Sequence, residues 1–310
     1  MKKLSTGQFY KAVDFIMTYA RPLDKKLFEY YFTNGSSISV LNELSRFQNR
    51  DGGVGHGMEP DIRMPHSSPI ATSIAMQYAR KVGALWGHPF VKSSMNYFTS
   101  IYERWDHWPL TLPEMSDFPR ADWWEHSQEN SSTFQVNPGA EIIGYYYAYP
   151  QAIEAVYLNK WRETVFDFIE KNQRDMEFHN ILCYLRLAGE MSEPHKSTLL
   201  NLLRPSVEHV VTREPKNWQG YCAKPLWLAP TPDAPMYSLL EELVEINLDY
   251  EIAHQDKDGS WLPFWAWGQN RDLWLNEVKT EWQGYLTVQT LRSLQTFDRI
   301  EQNAYMKSRG

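Results

Sequence analysis

Cysteine is scarce in this chain. Cys183 and Cys222 are the only two in 310 residues, too few for a disulfide framework. A basic surface is missing as well. The 31 Lys and Arg stand against 38 Asp and Glu, a net charge of −7 at pH 7. No window forms a basic stripe, so nucleic acid is not an expected partner, because phosphate recognition needs a positive field. No apolar run approaches the ~20 residues of a membrane span. The start "MKKLSTGQFYKAVDFIMTYA" has two lysines, but Gln8, Lys11 and Asp14 interrupt the apolar positions behind them, so it does not read as a signal peptide. A soluble cytoplasmic protein is the expectation. Alternating strand patterns are absent too. "DGGVGHG" is glycine-rich but does not open from a strand, which leaves nucleotide binding without support.

Aromatic residues are plentiful. They make up 15% of the chain, with 13 Trp and 18 Tyr, more than a plain core needs. A lined cavity or a stacking surface would use them. The rest of the pattern is helical. Phe9, Val13, Ile16 and Met17 share one helical face, as do Val40, Leu41, Leu44 and Phe47. Leu239, Leu240, Leu243, Ile246 and Tyr250 form a third, and Leu286, Val288, Leu291 and Leu294 a fourth. Roughly ten to twelve helical segments fit the length. The segments Tyr102 to Val136 and Arg213 to Pro235 read as long loops. "NPGAE" reads as a helix start, with Asn137 as cap, Pro138 first in the helix and Glu141 in the first turn. No Ser/Gly linker divides the chain, so one all-α domain over residues 1–310 is predicted.

A degenerate repeat organises this pattern. "LSRFQNRDGGVGHG" aligns with "EIAHQDKDGSWLPF", pairing Gln48 with Gln255, Asp51 with Asp258 and Gly52 with Gly259. Each copy runs from an amphipathic helix through the turn and a loop to another helix. A weaker copy lies at "IEKNQRDMEFHNILCYLRLAG". Hairpins of this kind can stack side by side, and about six would close into a ring around a central cavity. If the inner helices start at one mouth, Ser67, Asn137, His179 and Glu281 surround it.

Gln255, Gly259 and Trp261 match the Gln-x-x-x-Gly-x-Trp core of the QW repeat. The chain thereby resembles squalene and oxidosqualene cyclases and, more loosely, protein prenyltransferase β subunits. The first copy keeps Gln48 and Gly52 but has Val54 at the Trp position. "GGVGHGMEPDIRMPHSSPIATS", "NPGAEIIG" and "EWQGYLTVQTLRSL" are similar to bacterial proteins described as terpenoid-cyclase-like. The resemblance implies an α/α toroid and, in the repeat, a structural staple: Gln bonds free backbone groups, the indole covers a helix end, and Gly permits the turn. It does not carry a reaction with it. The Asp-x-Asp-Asp acid and the Asp-Asp-x-x-Asp magnesium motif of the terpenoid enzymes are absent. "EPD" at Glu59 to Asp61 and "TPDAP" at Asp233 come nearest. The prenyltransferase zinc pattern, Asp two residues before Cys, fails at both cysteines.

Three groups of residues remain as candidates for chemistry. "HGMEPDIRMPHSS" places His56, Glu59, Asp61, Arg63 and His66 within eleven residues. Two crowded carboxylates can hold a proton for general acid work. Equally, Arg63 can pair with Glu59 or Asp61, and His66 can cap the next helix. The spacing matches no compact metal motif, so no metal or cofactor is assigned. Glu141 with Asn137 is the second group, as a base, a ligand contact or a first-turn stabiliser. The third is Glu281 and Trp282 with Trp265 and Trp267, which lie beyond the repeat match. His179 joins these as a mouth residue or a cap. Catalytic candidates are therefore Glu59, Asp61 and Glu141. Ligand-binding candidates are His56, His66, Asn137, His179, Trp265, Trp267, Glu281 and Trp282. The loop holding Trp105, Trp108, Trp123 and Trp124 is either a lid or a packed seam.

The function expected from these features is that of a terpenoid-cyclase-like toroid enzyme acting on an apolar or isoprenoid-type ligand in a central aromatic-lined cavity. A carbohydrate-active α/α-barrel enzyme and a non-catalytic binding or scaffold protein are the alternatives. Oligomeric state is left open by the sequence.

Overall fold

Proline and small polar residues fix where the helices begin. Pro22, Pro69 and Pro89 stand at first helical positions, where a missing N–H costs nothing. Ser5 closes a capping box with Gln8, whose side chain accepts from Ser5 N at 3.1 Å. Ser68 caps the helix after "HSS", accepting from Ala71 N at 3.2 Å. The cap expected of His66 is thus made by Ser68, whose short hydroxyl reaches the first-turn N–H.

A computed structural model of the chain describes residues 1–172 and 176–301, apart from the side chains of residues 129 and 130. It is all-helical, with no strand among the described residues. Among the described residues, eleven α-helices have eight residues or more. They are α1 (Thr6–Tyr19), α2 (Pro22–Phe32), α3 (Ser37–Leu44), α4 (Pro69–Lys81), α5 (Pro89–Trp105), α6 (Val136–Ala148), α7 (Ala155–Asn172), α8 (Phe178–Glu190), α9 (His195–Val210), α10 (Tyr237–Ala253) and α11 (Lys279–Thr296). Among the described residues, no helix is long and apolar enough to cross a membrane. The chain forms two compact units. One is Met1–Glu43 with the chain from Val211 onward; the other is Leu44–Val210.

The first unit joins distant parts of the sequence. Leu4 N donates to Arg299 O at 2.7 Å, and Glu301 N donates to Leu4 O at 3.0 Å. The buried Arg299 guanidinium ties Lys2 O, Glu245 and Asp249 together. Burying an arginine requires this degree of pairing. Helix phase departs from expectation in two places. In α1 the buried face is Phe9, Ala12, Phe15 and Ile16, and Met17 is exposed. In α10 it is Leu240, Val244, Leu248 and Ile252, with Asn247 and Glu251 buried beside them, while Ile246 is exposed. Both buried polar residues are bonded, Asn247 Oδ1 to Leu226 N and Glu251 Oε1 to Lys224 Nζ. Tertiary pairing, invisible to hydropathy, shifts the face.

In the second unit α4, α6 and α8 lie side by side and run in one direction. The contact register shows it. Ser73 and then Arg80 of α4 meet Tyr145 and then Tyr149 at the end of α6. Asn137, Glu141 and Gly144 of α6 meet Cys183, Arg186 and Leu187 of α8 in the same order. Helices α5, α7 and α9 alternate with them in sequence and pack against them.

Each unit carries one copy of the repeat, and the two have the same internal geometry. Gln48 Nε2 donates to Gly52 O at 2.9 Å and to Phe90 O of α5 at 3.1 Å. Gln255 Nε2 donates to Gly259 O at 2.8 Å and to Gln8 O of α1 at 2.9 Å. Asp51 Oδ1 accepts from Gly53 N and Ser67 Oγ; Asp258 Oδ1 accepts from Ser260 N and Ser260 Oγ. Val54 N donates to Thr72 of α4, and Trp261 N donates to Thr287 of α11. Either threonine hydroxyl donates in turn to the carbonyl four residues earlier. The turn is therefore clamped to one helix by its Gln and to another by a Thr. Trp261, 4% exposed, covers the end of α10 and donates from Nε1 to Glu251 O at 3.0 Å. The turn residues of the weaker copy, 173–175, lie outside the described residues.

Gly52 and Gly259 have φ of +88° and +92°. A Cβ on Gly52 would lie 2.3 Å from Ser93 O, and one on Gly259 would lie 2.4 Å from Lys11 C. Gly52→Ala and Gly259→Ala should each cost about 2–4 kcal/mol, as left-handed strain adds to the backbone clash. Gln255→Ala should cost about 1–3 kcal/mol, because it leaves the turn carbonyl of Gly259 unbonded and unties the turn from α1. Urea titrations check all three. Losses below about 0.5 kcal/mol would show that the turns do not staple the helices.

Candidate functional site

Glu141 is the most buried of the candidate carboxylates, at 2% exposed. The helix expected to start at "NPGAE" begins earlier, at Val136, and kinks at Asn137, which is extended (φ −95°, ψ 116°) before Pro138. Glu141 does more than stabilise its own first turn. Its Oε2 accepts from Arg186 Nη1 of α8 at 2.8 Å, and its Oε1 accepts from Tyr145 Oη at 2.5 Å. The same Tyr145 Oη is 2.8 Å from Ser73 O of α4, so one hydroxyl hydrogen serves two acceptors. Cys183 Sγ lies 3.7 Å from both Glu141 Oε2 and Asn137 Oδ1. The fully buried Ser73 Oγ has no hydrogen-bond partner. Glu141 is thus a tie between parallel helices, with a polar cluster around it.

Electrostatics in the cluster favour the neutral thiol and phenol. Burial pushes the Cys183 thiol well above its ordinary value, and the adjacent Glu141 charge adds to the shift. Tyr145 is raised for the same two reasons, burial being the larger. His179, in the first turn of α8, pairs through Nδ1 with Glu177, which caps α8, and is half-buried.

Glu59 and Asp61 are both buried, but in a pinned loop. Asp61 O accepts from Ala121 N, and Arg63 N donates to Pro119 O, each at 3.0 Å. Ile62, Met64, Ile70 and Met115 form a small core there, with Phe118 and Trp124 packed on it. Arg120 Nη1 donates to Met115 O, Ser116 O and Phe118 O, which fastens the partner loop. Trp108 is fully buried and bonds Phe98 O. This part of the long aromatic loop is a packed seam. His56 is exposed, with φ +54°, and meets Asn49 Oδ1 at 2.9 Å. His66 is also exposed and contacts Phe118 edge-on.

In the first unit the structure brings Trp265 and Trp282 together, with ring centroids 5.0 Å apart. They belong to a longer ladder. Trp227 meets Phe264 at 5.4 Å, Phe264 meets Trp265 at 4.9 Å, and Trp282 meets Tyr285 at 5.8 Å. All five rings are half-buried. The buried Trp265 Nε1 has no hydrogen-bond acceptor. Glu281, half-buried, precedes Trp282 on α11. Trp267 is 5% exposed and lies 6.2 Å from Trp274. Trp227 and Tyr285 were not singled out by the sequence, because nothing in their spacing marks them as neighbours of Phe264 and Trp282. Arg186 and Tyr145 escaped for the same reason.

Among the described residues, no group of three or more His, Cys, Asp or Glu is arranged to hold a metal ion. Comparison of the chain with protein-family models, curated proteins and solved structures gives no match.

Because the folded state holds the Cys183 and Tyr145 protons more tightly than the unfolded chain, their contribution is complete below the ordinary thiol and phenol values of 9.0 and 10.0. It is lost as pH rises above them. Unfolding free energy should fall above about pH 9, at up to about 1.4 kcal/mol per pH unit per group. Cys183→Ser should make the decline shallower between pH 9 and 10. An unchanged slope in denaturant titrations would contradict this account of the cluster.

Proposed function

We propose that this protein is an α/α-toroid protein that binds a small apolar ligand of isoprenoid type on the aromatic ladder of its first unit. The single observation behind this reading is the ladder itself. Five half-buried rings stand in contact outside the staple, and one of them holds an unbonded indole N–H. A staple needs only Trp261, so the further rings have no part in it. Aromatic faces suit an unsaturated hydrocarbon, and an unbonded N–H suits an oxygen at its end. The toroid part of the reading is supported by parallel α4, α6 and α8, by their alternation with α5, α7 and α9, and by the duplicated turn.

Quenching of intrinsic tryptophan fluorescence by farnesol tests the proposal. Trp265→Ala and Trp282→Ala should weaken binding at least tenfold, with a modest change in Tm because both rings are half-buried. Trp261→Phe should lower Tm and leave affinity nearly unchanged. Equal stability losses in all three, with no change in affinity, would sink the reading.

A catalytic reading rests on Glu141, a candidate carboxylate braced by donors on both oxygens. If it serves chemistry, Glu141→Gln abolishes turnover of a prenyl substrate while farnesol affinity is retained. Turnover that survives the substitution rules this out.

A further inference from the structure

A cleft of about 710 Å³ opens in the second unit, between the C-terminal end of α5, the segment 151–154 and the start of α7. It belongs to neither the ladder nor the Glu141 cluster. Its lining combines aromatic rings with hydrogen-bonding groups of both kinds. Tyr102, Tyr157 and Trp161 supply the rings, while Glu103 and Glu154 supply carboxylates and Gln151 an amide. Tyr157 is 39% exposed, so one ring is open to contact at the cleft. Trp161 is 3% exposed, wedged among Tyr102, Trp108 and Tyr146 at 4.9–5.0 Å. Its indole N–H is buried and meets no acceptor. Asp106, also in the lining, is already engaged by Lys160 at 3.1 Å. Glu103 and Glu154 are exposed carboxylates.

These groups select a ligand chemistry. A buried donor without a partner costs free energy until an acceptor reaches it. Carboxylates, in contrast, want donors. A simple organic cation satisfies the carboxylates and the ring faces but offers nothing to the indole N–H. A hydroxyl both donates and accepts. A neutral polyhydroxylated ring therefore meets the whole lining: hydroxyls on Glu103, Glu154, Gln151 and Trp161, and a C–H face on Tyr157. We infer that this cleft is a binding site for a neutral saccharide of two or three rings. Its volume falls within the usual range for a small-molecule site, roughly 300–1,000 Å³. The inference is independent of the ligand assigned to the ladder.

Isothermal titration of the full chain with maltotriose and with cellotriose tests it, with spermidine as the cation comparison. One of the two trisaccharides should bind. Tyr157→Ala and Glu154→Gln should each weaken that binding at least tenfold, with Tm unchanged for the exposed Glu154 and slightly lowered for Tyr157, whose ring also meets Trp161 at 5.9 Å. Trp161→Phe, which keeps a ring but removes the N–H, should weaken it as well. The proposal is overturned if neither trisaccharide binds, or if affinity survives both Tyr157→Ala and Glu154→Gln. It is also overturned if spermidine alone binds and Glu154→Gln abolishes that binding.

Discussion

The side-chain amide of a single glutamine sets the plan of each unit. A tight turn leaves backbone carbonyls without partners, and a helix carbonyl keeps a second lone pair open to a further donor. Gln48 and Gln255 satisfy both kinds at once, holding the turn's own glycine carbonyl and a carbonyl of a packed helix. The amide fixes the distance between turn and helix to one hydrogen bond on each side. That closeness is what excludes a Cβ at Gly52 and Gly259. From the other end, Thr72 and Thr287 fix the turn to the next helix in the chain. Two identical clamps, built from residues more than two hundred positions apart, leave the rest of each unit to fill in around them.

Much of this was legible in the sequence. Gln, Asp and Gly at fixed offsets are a local signal, since the turn they form is local. The helical character of the chain was legible too, since it depends on period and breakers. Thr72 and Thr287 were not, because loops of different length separate them from their turns. The buried faces of α1 and α10 were misplaced by hydropathy. Asn247 and Glu251 are polar yet buried, since Leu226 N and Lys224 supply their partners. Ile246 is apolar yet exposed, since it falls on the side of α10 away from Val244 and Leu248.

The candidate sites divide along the same line. Glu59 and Asp61 stood out because they are close in sequence, and their loop proves to be a knot of backbone bonds with a small methionine-rich core. Glu141 stood out only as a first-turn carboxylate. Its importance comes from Arg186, Cys183 and Tyr145, residues that converge through the parallel packing of α6 and α8. The aromatic ladder obeys this rule as well. Trp265 and Trp282 were named from sequence, whereas Trp227 and Tyr285 joined them through tertiary structure. Residues that make turns are readable locally, and residues that make sites are gathered from several elements.

Staples and candidate sites are therefore separate sets of residues, and the ladder is where we propose that an apolar ligand binds. The most direct measurement is a crystal structure of the chain grown with farnesol. The account predicts ligand density against the Trp265 and Trp282 rings, with its oxygen within hydrogen-bond distance of Trp265 Nε1. Density held elsewhere, with the ladder bare and Trp265 Nε1 still unbonded, would contradict it.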